Sequence, residues 1–108
     1  MPTTALPQID DAHFDAEVLE SDVPVVVDFT AAWCAPCRVM DPILAELAAE
    51  RDDVKIVQVD VGQAHDTVAR YGVMSMPTFV VFKNGNRAAT FVGSRPKRRL
   101  VQEIENVI

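Results

Sequence analysis

Apolar residues along this chain alternate between a helical and an extended period, and each change of period marks an element. Ile9 precedes Asp10, a residue suited to an N-cap, and Phe14, Val18 and Leu19 then recur at helical spacing, which predicts a first, fairly polar helix reaching about Glu20. Pro24-Val25-Val26-Val27-Asp28-Phe29 is a continuous β-branched run, the pattern of a strand buried on both faces, and predicts a central strand. From Cys34 to about Glu50, Met40, Ile43, Leu44 and Leu47 follow the helical period while Asp41, Glu46 and Glu50 supply a wet face. Pro42 lies inside this longest helix and predicts a kink rather than a break, because the periodicity runs through it. Val54 to Val61 alternates as a second strand, so strand, helix and strand in succession form a βαβ unit.

A short helix around Ala64 to Arg70 follows, then a third strand at Thr78-Phe79-Val80-Val81-Phe82. Asn84-Gly85 is a strong hairpin signal and makes Arg87 to Val92 the antiparallel partner, so the sheet is mixed. After Gly93, Pro96 opens a final helix whose Leu100, Val101, Ile104, Val107 and Ile108 form one apolar stripe, expected to pack on the sheet. No internal repeat or Gly/Ser linker interrupts the series, and 108 residues suit one domain over 1–108. The expected fold class is α/β.

Composition narrows the classes of function. At 49% hydrophobic and 24% charged the chain is ordinary for a folded domain and has no apolar run long enough to span a bilayer. Met1 to Pro7 shows neither a basic nor an apolar signal region, which reads as a cytoplasmic protein. The net charge is −6, distributed unevenly: residues 1–66 hold fourteen acids against Arg38, Arg51 and Lys55, whereas residues 67–108 hold seven bases against Glu103 and Glu105. An acidic total argues against nucleic acid as the main ligand. The basic run Arg95, Lys97, Arg98 and Arg99 reads as a solvated face, and docking of an acidic partner is the rival reading.

Two cysteines only three apart are too few and too close to staple a scaffold, so a bridge between Cys34 and Cys37 is chemical rather than structural. Trp33-Cys34-Ala35-Pro36-Cys37 falls between a central strand and the long helix. There, unpaired backbone N–H groups and the positive end of the helix dipole favour a thiolate at Cys34. Cys37, one turn further in, can attack a mixed disulfide at Cys34 and release the partner. Pro36 suits the first turn, where no N–H is needed. The same spacing is also half of a zinc site, but the remaining candidate ligands, His13 and His65, are 52 residues apart, so no metal is expected and neither histidine is given a role. Asp28 is a lone carboxylate in a strand that should be buried; burial raises its pKa and makes it a candidate proton acceptor for Cys37, unless strand twist exposes it at an edge. Pro77, opening a strand, belongs to the one residue type for which a cis bond is common enough to consider.

These motifs, with Val27-Asp28-Phe29, Pro42, Tyr71-Gly72-Val73, Met76-Pro77-Thr78, Phe82-Lys83-Asn84-Gly85 and Val92-Gly93 in order, resemble the thioredoxin family over nearly the whole chain. The resemblance implies a thioredoxin fold, a central mixed sheet flanked by helices on both faces. It also implies Cys34 as attacking thiolate, Cys37 as resolving thiol, Asp28 as buried acid and Pro77 in cis. It further implies that a substrate segment pairs with the backbone before Pro77, making Met76 a contact, on an apolar surface that includes Trp33, Ala35, Pro36, Met74 and Gly93. Four positions depart from the common pattern. Ala35 replaces glycine between the cysteines, Thr30 stands in place of a second tryptophan, Gln58 replaces a lysine near the buried acid, and Met76 replaces a β-branched residue. Loss of that lysine is expected to leave Asp28 with a higher pKa, and methionine's flexibility broadens the partners accepted.

The expected activity is general protein disulfide reduction by a monomer. No bound cofactor is needed, because the dithiol carries two electrons, and the resemblance implies recharging by an external NADPH-dependent flavoprotein reductase. No dinucleotide fingerprint occurs in the chain itself. Two other readings use the same residues or the same fold: a disulfide oxidase or isomerase, whose direction depends on potential, and a non-redox binding or chaperone module.

Overall fold

The β-branched run becomes strand β1 (Val25–Thr30), buried along its whole length at the centre of a four-stranded sheet ordered β2-β1-β3-β4. In this computed structural model residues 6–108 are described, and residues 1–5 of the N-terminal stretch read for a signal lie outside that range. β2 (Lys55–Asp60) runs parallel to β1 and β3 (Thr78–Lys83) antiparallel, with β4 (Asn86–Val92) completing the hairpin at the edge. The other edge is partly closed by the segment leading into the fold, for Ile9 N donates to Gln58 O and Gln58 N to Pro7 O, each at 2.8 Å. The mixed sheet follows from two connection lengths. A whole helix lies between β1 and β2 and permits the parallel crossover, whereas the hairpin closes through Asn84 at φ 54° and Gly85 at φ 79°.

Strand alternation sorts the core into two layers. Val26, Ile56, Phe79 and Val81 face helices α1 (Ala35–Glu50) and α3 (Lys97–Glu105), meeting Met40, Leu44, Leu47, Leu100 and Ile104. Val25, Val27, Phe29, Val57 and Val59 face the opposite side, against Phe14 and Val18 and the partly buried Val68 and Tyr71 of α2 (His65–Tyr71). Helices therefore cover both faces, as expected. α1 runs through Pro42 without a break, its proline on the exposed side.

Three expectations need correction. The first helix is shorter than its periodicity predicts: Asp10 caps only a turn, through His13 N at 3.0 Å, and regular helix is confined to a π-type segment at Asp15–Leu19. This segment buries only Phe14 and Val18 fully, with Leu19 partly covered beside them, too little apolar contact to hold a longer helix. The basic run is not one solvated face either. Arg95 is buried with its guanidinium on Glu103, Lys97 pairs with Glu46 and Glu50, and only Arg98 and Arg99 stand exposed, Arg99 beside Glu103 at 3.6 Å. Pro96 precedes the final helix as its N-cap instead of opening its first turn.

Candidate active site

After β1 ends at Thr30, the chain turns through Ala31 and Ala32 and delivers Cys34 to the N-cap of α1, with φ −93° and ψ 106°. Its sulfur occupies the place a capping oxygen would take and accepts the Cys37 N–H at 3.2 Å. That donor and the helix dipole stabilise negative charge on Cys34. Pro36, within the first turn, sacrifices no helical hydrogen bond. The two cysteines are joined as a disulfide with their Cα atoms 5.3 Å apart. Cys37 is wholly covered whereas Cys34 keeps 5% of its surface, so an approaching partner meets Cys34 first.

Asp28 does not reach an edge. It lies between Gln58 of β2 and Phe79 of β3 with no exposed surface, on the sheet face that carries Val26 and is covered by α1. Burial pushes its carboxyl from 3.8 up to about 7, only partly opposed by the hydrogen bond from Gln58. The amide nitrogen of Gln58 donates both to Asp28 Oδ2 at 2.8 Å and to Asp41 Oδ1 at 3.0 Å. Asp41 follows Cys37 by four residues and so stands one turn along the same helix face, which ties Asp28 to the helix of the resolving cysteine. Arg38 pairs with Asp41 at 3.1 Å and donates to Thr30 Oγ1 at 2.7 Å, closing the network on its solvent side. Asp28 Oδ1 accepts no hydrogen bond from the protein. Thr30, which replaces a second tryptophan in the resemblance, serves here as the acceptor for Arg38.

The apolar surface forms around the sulfurs from three segments. Ala31, Cys34 and Cys37 make a small buried cluster, and Met76 packs against it. The Met76–Pro77 bond is cis, and Pro77 itself is buried, so this proline shapes the surface through its backbone. Gly93 donates its N–H to Pro77 O at 2.9 Å with φ at 98°, which brings the β4–α3 turn beside Met76; a Cβ there would meet nothing within 4 Å. Trp33 (76%) and Met74 (93%) project into solvent, and Ala35 and Pro36 are exposed on the cysteine loop. Val92 is a further exposed apolar residue, next to Gly93, that sequence reading does not single out because it reads as the end of an ordinary strand. Arg38 and Asp41 were also missed as members of the site; their spacing of three on the helix after Cys37 was the available signal.

Among the described residues no three His, Cys, Asp or Glu side chains converge as a metal site. His13 pairs with Asp10 at 2.6 Å and His65 Nε2 lies 3.0 Å from Gly62 O, each within its own local turn. No helix among the described residues is long and apolar enough to cross a membrane.

The family model described as Thioredoxin matches residues 5–106. The chain is 39% identical to a thioredoxin of Synechocystis sp. over 106 residues, covering 97% of this chain and 99% of that one. It is 45% identical to a thioredoxin of Haemophilus influenzae over 101 residues, 93% of this chain and 94% of the relative. Thioredoxin 1 of Synechococcus elongatus is 43% identical over 98 residues, 90% and 92% of the two chains. With Cys34 and Cys37 joined at the head of α1, and with relatives aligned over nearly the whole chain, this chain belongs to the thioredoxin family and is a thiol-disulfide oxidoreductase that reduces protein disulfides.

Proposed function

We propose that the dithiol form works in two steps with fixed roles. Cys34 thiolate attacks one sulfur of a substrate disulfide, forming a Cys34–substrate disulfide and expelling the other substrate sulfur as thiolate, which takes up a proton from water. Asp28 accepts the proton of Cys37, whose thiolate attacks Cys34 Sγ, restores the Cys34–Cys37 disulfide and releases the second substrate thiolate. Two electrons pass from the pair to the substrate. The observation that carries this assignment is the contrast between the two sulfurs: Cys34 caps the helix and keeps a small exposed area, whereas Cys37 has none.

The substrate lies in extended form along the backbone at Met76, over an apolar surface of Trp33, Ala35, Pro36, Met74 and Val92, with Gly93 leaving room for its main chain. Contacts of this kind recognise backbone and general apolar character, so they suit many disulfide proteins. Because the dithiol itself holds the electrons, the chain needs no bound cofactor, and an external NADPH-dependent flavoprotein reductase recharges it in the cytoplasm.

Two measurements test this reading. Cys37→Ser should arrest the reaction as a covalent Cys34–substrate adduct visible by mass spectrometry, and Cys34→Ser should abolish reduction; an adduct formed at Cys37 would reverse the roles. The potential of the pair, titrated in glutathione buffers with Trp33 fluorescence, should fall near the roughly −270 mV of thioredoxins. A value near about −180 mV or above would favour oxidation or isomerisation instead, and full function of Cys34→Ser would favour a binding module.

A further inference from the structure

Arg95 is the basic residue that the sequence places in a solvated run and the fold buries, with only 4% of its side chain exposed. It follows Gly93 by two residues, and its guanidinium turns back onto that turn. Nη2 donates to Val92 O at 2.6 Å and Nε to Gly93 O at 3.2 Å, while Nη1 lies 2.7 Å from both carboxylate oxygens of Glu103 on α3. The guanidinium carbon lies 5.7 Å from the ring centre of Phe91, and the Arg95 backbone N–H reaches Met40 Sδ at 3.5 Å. Met40 is three residues after Cys37 on α1, so the turn is anchored to the helix that carries the sulfurs as well as to α3. Of the five guanidinium donors, two are thus committed to consecutive carbonyls of one turn, an arrangement that the planar fork of arginine can make and a single ammonium cannot.

A buried ion pair alone needs only Glu103. The two carbonyl contacts do something more specific: with Val92 O and Gly93 O held inward, the Gly93 N–H points to Pro77 O and the turn keeps its positive φ beside Met76. We propose that Arg95 is a positioning residue for substrate docking, holding the Val92–Gly93 turn in the shape against which a partner's backbone runs. This rests on the reading that the groove between Met76 and Gly93 takes the substrate. Arg95 touches neither sulfur, so the chemistry of the pair is independent of it.

The test is stopped-flow oxidation of the pre-reduced full chain, followed by Trp33 fluorescence, with insulin as the protein disulfide and 5,5′-dithiobis(2-nitrobenzoic acid) as a small disulfide that needs no groove. Arg95→Met should lower the rate constant with insulin about tenfold, as expected for losing charge-assisted hydrogen bonds, and leave the small-disulfide rate and the reduction potential of the pair unchanged. Arg95→Lys, which keeps the charge beside Glu103 and can satisfy one carbonyl, should fall between the two and safeguards the test if Arg95→Met does not fold. An unchanged insulin rate in a folded variant, or equal losses with both disulfides, would reduce Arg95 to a stabilising ion pair and overturn the proposal. Gly93→Asp puts a side chain into the groove and strains the turn at its positive φ; an intact insulin rate in that variant would show the docking groove itself misplaced.

Discussion

Gln58 Nε2 donates to Asp28 Oδ2 at 2.8 Å, and the same nitrogen holds Asp41 Oδ1 at 3.0 Å. Gln8 Nε2 in turn donates to Gln58 Oε1 at 2.6 Å, so every polar atom of this amide has a partner and its orientation is fixed. A neutral donor here supports the Asp28 carboxylate without cancelling its charge. That is why burial still prevails and Asp28 titrates at about 7. The higher pKa expected from the absence of a lysine at this position agrees with this balance.

Gln58→Leu removes the hydrogen bond that favours the carboxylate and should move the Asp28 titration upward. If the resolving step needs Asp28 ionised, its rate at pH 7 falls severalfold, in keeping with about 1 kcal/mol for such a bond, and recovers at higher pH. Gln58→Lys should move the profile the opposite way. An infrared titration of the Asp28 carboxyl, beside the pH profile of adduct resolution, reads both effects.

Asp28 also makes stability depend on pH. Its folded-state pKa, about 7, lies above the ordinary 3.8, so the folded state holds the proton more tightly than the unfolded chain. Below pH 4 both states are protonated and the group carries no penalty. As pH rises from 4 to 7 the unfolded chain ionises first and stability declines, by about 4 kcal/mol once the pH is above the folded-state value. Asp28→Asn should therefore stabilise the fold by a comparable amount at pH 8 and change it little at pH 4, while slowing adduct resolution. Urea denaturation at the two pH values measures the difference.

Gly85→Ala should weaken the hairpin. Gly85 has φ 79°, and a Cβ there would lie 3.1 Å from Leu19 O, a backbone atom that cannot swing aside. A loss of about 1–2 kcal/mol is expected from the left-handed conformation alone, with reduction of small disulfides preserved because the turn is at the end of β3 remote from Pro77. Thermal unfolding compared with the parent chain gives the value.

Leu44→Ala tests the layer under α1. Leu44 is fully buried among Val26, Phe79 and Leu100, and truncation there should cost about 2–5 kcal/mol through lost burial and a residual cavity. Circular dichroism is the better probe, because Trp33, the sole tryptophan, is already largely exposed in the folded state.

Much of the architecture was legible in local patterns because those patterns respond to neighbours close in sequence. The β-branched run at 25–30, the helix through Pro42 and the Asn84–Gly85 hairpin all form where periodicity and turn chemistry place them. The first helix was the exception, since it buries only Phe14 and Val18 fully and period alone overstates its length. The same contrast applies at the site. Cys34 and Cys37 are readable from their spacing and from the helix they open, whereas Val92, Arg38 and Arg95 acquire their places from how turns and helix ends fold back on one another, which periodicity does not encode.

By itself, then, the sequence determined the redox pair, the helix start that favours a Cys34 thiolate and the lone carboxylate in a buried strand, because each depends on residues within a turn or a strand of one another. Only the tertiary structure decided what surrounds them. It joined Asp28 to Asp41 through Gln58 across thirty residues of chain, set Gly93 against Pro77, and turned Arg95 from a member of a basic run into a buried clamp. Hydrogen bonds between segments remote in sequence leave no periodic mark on it, and burial of a charge is settled only by whether the folded chain supplies partners for every donor.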